Sequence, residues 1–533
     1  MIEKEFNLLH EPWILVMEPN GEMKEVSLLE LFRCAQEFRS LAGELPTQDV
    51  AVLRLLLAIL HAVFARYSPE GEFDPISSPR GALTRWKALW DRGAFPITTI
   101  ADYLVHYEDR FWLFHPEYPF YQVAGMDKAT DYTAAKLNGE LSESNNKIRL
   151  FPQRTGTGKS ALGYGEAARW LLYVNSFDDT SAKPKGKGLP SPGAGWLGKL
   201  GLIAAMGDNL FETIMLNLVF LKDGGNELWG REAPVWEAGT VKTAERTQIT
   251  MPDNPSELLT LQSRRLLLKR EGDSVTGYYL LGGDFFPKEN AFAEQMTVWR
   301  NATKKETEPP EYHPKRHDPA RQLWRDFSVL VIQSQGSRRP GVIGWLARLK
   351  AENLIQRSHF RFQTAAVKYG DKDFFIDDVF SDSIAMSATL LTDLGENWVS
   401  RIISEINTTE QLVEQVGYLA QDLAKAAGDA DGSSQKKAAK EQAYFRLNAP
   451  FRQWLERIDP ERDSMEEVCE KWWKEARRIV QALGQELVNQ SGQQAFVGRV
   501  IREKIKGKEV ERRYTAPKAY NSFTYRTSTR EAL

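Results

Sequence analysis

Between residues 383 and 489 the sequence carries four consecutive segments with apolar residues at helical spacing, and few architectures accommodate that pattern. The segments cover residues 383–407, 411–427, 436–457 and 465–489. Leu391, Leu394, Trp398 and Ile402 trace the stripe of the first; Leu412, Val416, Leu419 and Leu423 trace that of the second. A helix with one apolar stripe must bury it. The joins, at residues 428–434 and at 458–463 with Pro460, are short enough to make successive helices antiparallel neighbours. The pattern predicts a four-helix bundle in a C-terminal domain spanning residues 381–533. That domain ends in a basic tail, residues 502–518, with seven Lys or Arg against three Glu.

The first 380 residues read differently, as a large mixed globular domain, so the fold class expected is α+β. Residues 6–26 read as strand, turn and strand through Pro19, Asn20 and Gly21, and Ser27 is placed to cap the helix that follows. Residues 47–67 form a long helix in which Leu53, Leu56, Leu57 and Leu60 fall near helical spacing. Its most apolar part, residues 50–65, holds Arg54 and His61 and is too short for a bilayer, so it is expected as a buried helix. Strand-like runs recur at residues 265–269, 278–281 and 297–299. Residues 1–6 are charged with no apolar run behind them, so no secretory signal is expected. Two cysteines, Cys34 and Cys469, exclude a disulfide framework or cysteine-based zinc site and fit the reducing cytoplasm. The net charge of −3 means that any grip on nucleic acid must come from local basic loops, with partners supplying the rest.

Such loops are visible from residue 156 to 201, where the composition changes and glycine, lysine and proline crowd residues 186–201. A flexible linker has the same composition. Gly156-Thr157-Gly158-Lys159-Ser160 imitates a nucleotide-binding P-loop, but the glycine required five places earlier is Gln153. The same residues can still form a backbone nest for a phosphate. His317-Asp318 could start a two-metal site but lacks companion ligands among the 7 His, and it reads more simply as a turn or cap. Asp178-Asp179 reads as a solvated helix end, and the runs 111–114 and 119–121 as core aromatics.

The run Phe6-Asn7-Leu8-Leu9-His10-Glu11-Pro12-Trp13-Ile14 resembles the opening of the CasA family, from the type I-E CRISPR complex Cascade. Phe114-His115-Pro116 with Pro119-Phe120-Tyr121-Gln122 is similar to that family's aromatic turn. The stretch from Gly163 through Lys183–Pro190 to Gly195-Trp196-Leu197-Gly198 is similar to its glycine-rich segment. The resemblance implies a non-catalytic cytoplasmic subunit with no cofactor, metal or membrane contact. It implies that the subunit reads the protospacer-adjacent motif (PAM) on double-stranded target DNA and helps start unwinding. The partners implied are the other Cascade subunits, the 5′ handle of the guide RNA and a helicase–nuclease effector. It places the handle loop on Phe151, Gln153, Arg154, Gly156, Gly158 and Lys159. The PAM-facing glycine loop falls on Lys185, Gly186, Lys187, Gly188 and Leu189, with Lys183 beside it; a duplex wedge falls near Tyr369, Gly370 and Lys372, and a minor-groove lysine at Lys288. The alternative is a scaffold subunit without direct DNA readout.

Overall fold

The computed structural model describes residues 4–126, 129–139, 141–143, 147–148, 154–180, 183, 186–303, 308–332, 336–429, 431–505 and 508–533. Lys185, Phe151 and Gln153 therefore lie outside the described residues. The chain divides into two compact units. One comprises Met1–Arg321, Val329–Gln356 and Phe360–Ser383; the other comprises Gln322–Ser328, Arg357–His359 and Ile384–Leu533.

In the first unit, β1 (Ile14–Met17) pairs with both β2 (Met23–Val26) and β3 (Ser40–Leu41). The Glu30 N–H donates to Ser27 Oγ at 3.2 Å, the expected cap of helix α1 (Leu28–Cys34). Helix α2 (Pro46–Phe64) is long and apolar enough to cross a membrane, yet it is the buried spine of this unit, covered along nearly its whole length. A charged residue in such a helix must be paired. Arg54 donates to both oxygens of Glu294 at 2.9 and 2.8 Å, and the Trp196 indole donates to the same carboxylate at 2.9 Å.

Helix α3 (Tyr164–Phe177) packs on α2. Strands β4 (Thr130–Thr133) and β5 (Ala204–Met206) each edge a three-stranded antiparallel arrangement. Strand β4 adds to the hairpin of β6 (Arg264–Glu271) and β7 (Ser274–Gly282), placing Tyr278 opposite Tyr132. Strand β5 adds to β8 (His359–Tyr369), which neighbours β9 (Ile376–Ser387).

The second unit is helical, as the fold class requires, but its membership differs from the sequence pattern. Residues 383–407 and 411–427 are not two helices. Residues up to Ser387 belong to β9, two short 3-10 turns follow, and Leu394 is 78% exposed. One unbroken helix, α4 (Glu396–Ala427), then runs through the polar Thr408-Thr409 step. The two threonine hydroxyls are satisfied within the helix, donating back into the preceding turn to the Ser404 and Glu405 carbonyls at 2.9 and 2.7 Å. Helices α5 (Ser433–Arg457) and α6 (Met465–Gln490) fold against α4. The fourth place is taken from the tail. Beyond α6, β10 (Arg499–Ile505) pairs with β11 (Lys508–Tyr514), and α7 (Ala516–Arg526) buries Phe523 against Gly484 of α6.

Candidate nucleic-acid interface

Helix α3 ends at Phe177, and the next two residues overturn the solvated-end reading. Asp178 and Asp179 are 5% and 1% exposed. Carboxylates so buried must be compensated. Lys183 approaches Asp178 to 2.9 Å, Lys136 approaches Asp179 to 2.7 Å, and Arg264 Nε donates to Asp178 at 2.5 Å. Burial alone would raise the Asp178 carboxyl, but Lys183 and Arg264 outweigh it and hold the group below the usual carboxylate range. Lys183 is thereby corrected. Its side chain is 1% exposed and committed to this cluster, so it does not face DNA phosphates.

The same Arg264 donates to the Gly193 carbonyl at 2.7 Å, and Arg246 donates to the carbonyls of Pro190 and Ser191 while lying 4.0 Å over the Phe285 ring. Two arginines therefore strap residues 190–193 to the body. The preceding residues stand out from it. Gly186, Lys187 and Gly188 are exposed, and the Leu189 N–H closes a turn on the Gly186 carbonyl at 3.5 Å. The turn needs left-handed backbone at Gly186 (φ 79°) and Gly188 (φ 76°), which glycine adopts without strain. Lys187 has no ion-pair partner among the described residues. The glycine at 198 serves the fold instead: a Cβ there would sit 2.0 Å from the Tyr369 hydroxyl.

That contact corrects Tyr369, which is no wedge tip. Its hydroxyl donates to the Phe177 carbonyl at 2.5 Å, and Arg316 lies 5.0 Å over its ring. The tip is the reversal beyond it. Gly370 N–H donates to the Phe375 carbonyl at 2.9 Å, and Lys372 is exposed with φ 52°. Thr180 bonds the Lys372 and Asp373 carbonyls, and Arg316 pairs with the Asp373 carboxylate at 2.9 and 2.8 Å, so the tip is tied to the chain just after α3. Phe374, 44% exposed at this tip, is the apolar group the sequence reading missed.

Lys288 is exposed. Lys199 was not foreseen. Burial first, then the fields of Arg264, Lys288, Arg246 and Arg316, pull its ammonium down to about 8. Arg264, Lys288, Arg246 and Arg316 are thus close enough to Lys199 to act on its charge, a local concentration of cations hidden in the overall acidic balance. Its only trace in the sequence is the lysine that directly follows Gly198.

In the handle loop, Arg154 is also corrected. It pairs with Glu44 and Glu166 and is 20% exposed, so it holds the loop to the body. Gly156–Lys159 is a single 3-10 turn with Gly156 exposed and Gly158 and Lys159 half-buried, and α3 starts only at Tyr164, unlike a P-loop. Asn138 donates to the Gly158 carbonyl at 3.4 Å. His317 Nε2 donates to the Leu202 carbonyl at 3.0 Å, and Asp318 accepts from the Ala320 N–H at 2.9 Å, the arrangement of a turn cap. Among the described residues, no group of three or more His, Cys, Asp or Glu is placed to hold a metal.

The family model described as CRISPR-associated protein Cse1 (CRISPR_cse1) matches residues 7–483. The chain belongs to the Cse1 family. Cse1 and CasA name one family, that of type I-E Cascade, as the sequence resemblance implied. The CasA/Cse1 protein of Thermus thermophilus is 27% identical to this Cse1 chain over 504 residues, 90% of this chain and 93% of that one. The crystal structure of Thermobifida fusca Cse1 superposes with a TM-score of 0.83 at 32% identity, covering 99% of this chain and 98% of that one. A chain of a CRISPR RNA-guided surveillance complex shares the Cse1 fold at a TM-score of 0.65 and 15% identity, covering 91% of this chain and 100% of that one.

Proposed function

We propose that this Cse1 chain is the non-catalytic, cytoplasmic Cascade subunit that reads the PAM on duplex DNA, helps start unwinding and recruits the helicase–nuclease effector. The Gly186–Leu189 turn, exposed from Gly186 to Gly188, with the exposed cations Lys187 and Lys288, carries the reading. A nearly side-chain-free turn can approach a minor groove closely, and the surrounding cations neutralise the phosphates on either side. Lys372 and Phe374, at the tied tip beyond β8, supply a cation and an apolar edge to prop a base step. The 3-10 turn at Gly156–Lys159 receives the 5′ handle of the guide RNA, with Lys159 toward its phosphates, and the helical unit meets the other Cascade subunits. The scaffold alternative needs these cations to face solvent in the working complex.

The test uses the assembled complex and a PAM-bearing duplex across a salt series. The Lys187→Ala/Lys288→Ala double variant is expected to bind several-fold more weakly and to flatten the log–log salt slope by about 2, roughly 0.9 per lost phosphate contact. Affinity and slope equal to the parent's would leave the scaffold reading standing. A crosslinker placed at position 187 should reach the PAM-side duplex.

A further inference from the structure

Beside the buried charge cluster lies a cavity of about 180 Å³ that the reading above does not use. Trp170 and Tyr173 of α3, Tyr278 of β7, and Lys136, Asn138 and Asp179 line it. Trp170 and Tyr278 are 3% and 0% exposed, yet among the described residues neither the indole N–H nor the phenol hydroxyl meets a hydrogen-bond partner. Buried donors are almost always satisfied, so two orphans on one cavity call for an occupant that supplies acceptors.

Size and shape narrow that occupant. A cavity of about 150 Å³ takes a single benzene ring, so this one admits one six-membered ring rather than a fused pair. Its aromatic walls, with Trp170 and Tyr173 meeting edge-on at 5.1 Å, suit a flat face. A pyrimidine base combines such a face with exocyclic carbonyl oxygens that accept hydrogen bonds. Asn138 borders both this cavity and the Gly156–Lys159 turn, so a strand lying on the turn runs beside the cavity. The enclosure is stiff because Lys136 and Asp179, part of its lining, are locked into the buried ion cluster.

We propose that the cavity receives one unstacked pyrimidine base of single-stranded RNA, with Trp170 Nε1 and Tyr278 Oη donating to its exocyclic carbonyl oxygens. This inference rests on the RNA-guided reading and adds a base subsite to it.

The full chain is titrated with labelled single-stranded hexamers of uridine, of adenosine and of deoxythymidine. The uridine hexamer is expected to bind more tightly than the other two. Trp170→Phe and Tyr278→Phe, which keep a ring and remove a donor, should each weaken it by about threefold to tenfold. Tyr278→Phe should not lower the thermal midpoint, because the hydroxyl it removes has no partner in the fold. A 4-thiouridine in the hexamer should photocrosslink to the peptide carrying Trp170 or Tyr278. Equal binding of uridine and adenosine hexamers, unchanged by both variants, would mean that the cavity holds only water. Equal binding of the deoxythymidine hexamer would overturn the assignment to RNA. The duplex assay with Lys187→Ala/Lys288→Ala reports separately, so loss of the base subsite and loss of the PAM reading are distinguishable.

Discussion

Glu294→Ala should lower the stability of the first unit by about 3–5 kcal/mol, read as a fall in the urea midpoint at unchanged slope. Arg54 is 2% exposed on the apolar spine α2, and the Glu294 carboxylate, fully buried, is its ion-pair partner. Arg54 Nε already lacks a hydrogen-bond partner, so removing the carboxylate strands a whole guanidinium in an apolar core. The Trp196 indole loses its acceptor in the same step. A paired replacement, Arg54→Met with Glu294→Leu, removes both charges and is expected to cost far less than Glu294→Ala alone. Equal losses from the single and double variants would show that packing, not the stranded charge, sets the cost.

A second large effect is a pH dependence centred on Glu232. Burial lifts its carboxyl from 4.5 to about 7, although the Ser256 N–H donates to it at 2.9 Å. Its other oxygen lies 3.7 Å from His61 Nδ1, and neither atom has a hydrogen-bond partner. His61 does not supply a counter-charge, since burial lowers it to about 3 and leaves it neutral. The folded state therefore holds the Glu232 proton more tightly than the unfolded state does. The stability this gives is complete below pH 4.5 and is lost as pH rises through about 7, an effect of about 3 kcal/mol. His61 acts in the opposite sense between about 3 and 6.5 and offsets much of the Glu232 limb in the parent, so the effect is read as the difference between the parent and a variant that keeps His61. Glu232→Gln keeps an acceptor for Ser256 and should remove that limb, making the variant more stable than the parent at pH 8. Urea midpoints at pH 5, 6, 7 and 8 measure this, and parallel profiles for parent and variant would rule it out.

The parts legible in the sequence were those set by short-range rules. Ser27 capped its helix, the 6–26 reversal formed, and the runs at 265–269 and 278–281 lie within β6 and β7. The misread charged and aromatic residues owed their places to long-range pairing. Asp178 and Asp179 look like a polar helix end until Arg264, 86 residues on, reaches them, and nothing local announces that Lys183 will turn inward to join. The Thr408-Thr409 step looks like a break, because hydroxyls that return to the previous turn leave no trace in a polarity pattern. Tyr369 illustrates the same point. An aromatic before Gly370 resembles an exposed tip, and only the gap left by Gly198 shows where its ring goes. The glycine turn itself was readable because its backbone demand is written directly in Gly186 and Gly188.

The two arginine straps set the mechanical character of that turn. Lys183 is sunk in the acid pair on one side, and residues 190–193 are gripped through their carbonyls on the other. The Gly186–Leu189 turn, closed on itself by the Leu189 N–H and joined directly to the strapped residues, has little freedom to sweep through solvent in search of a target. It behaves as a fixed tooth rather than a lasso, and a duplex has to be delivered to it already aligned.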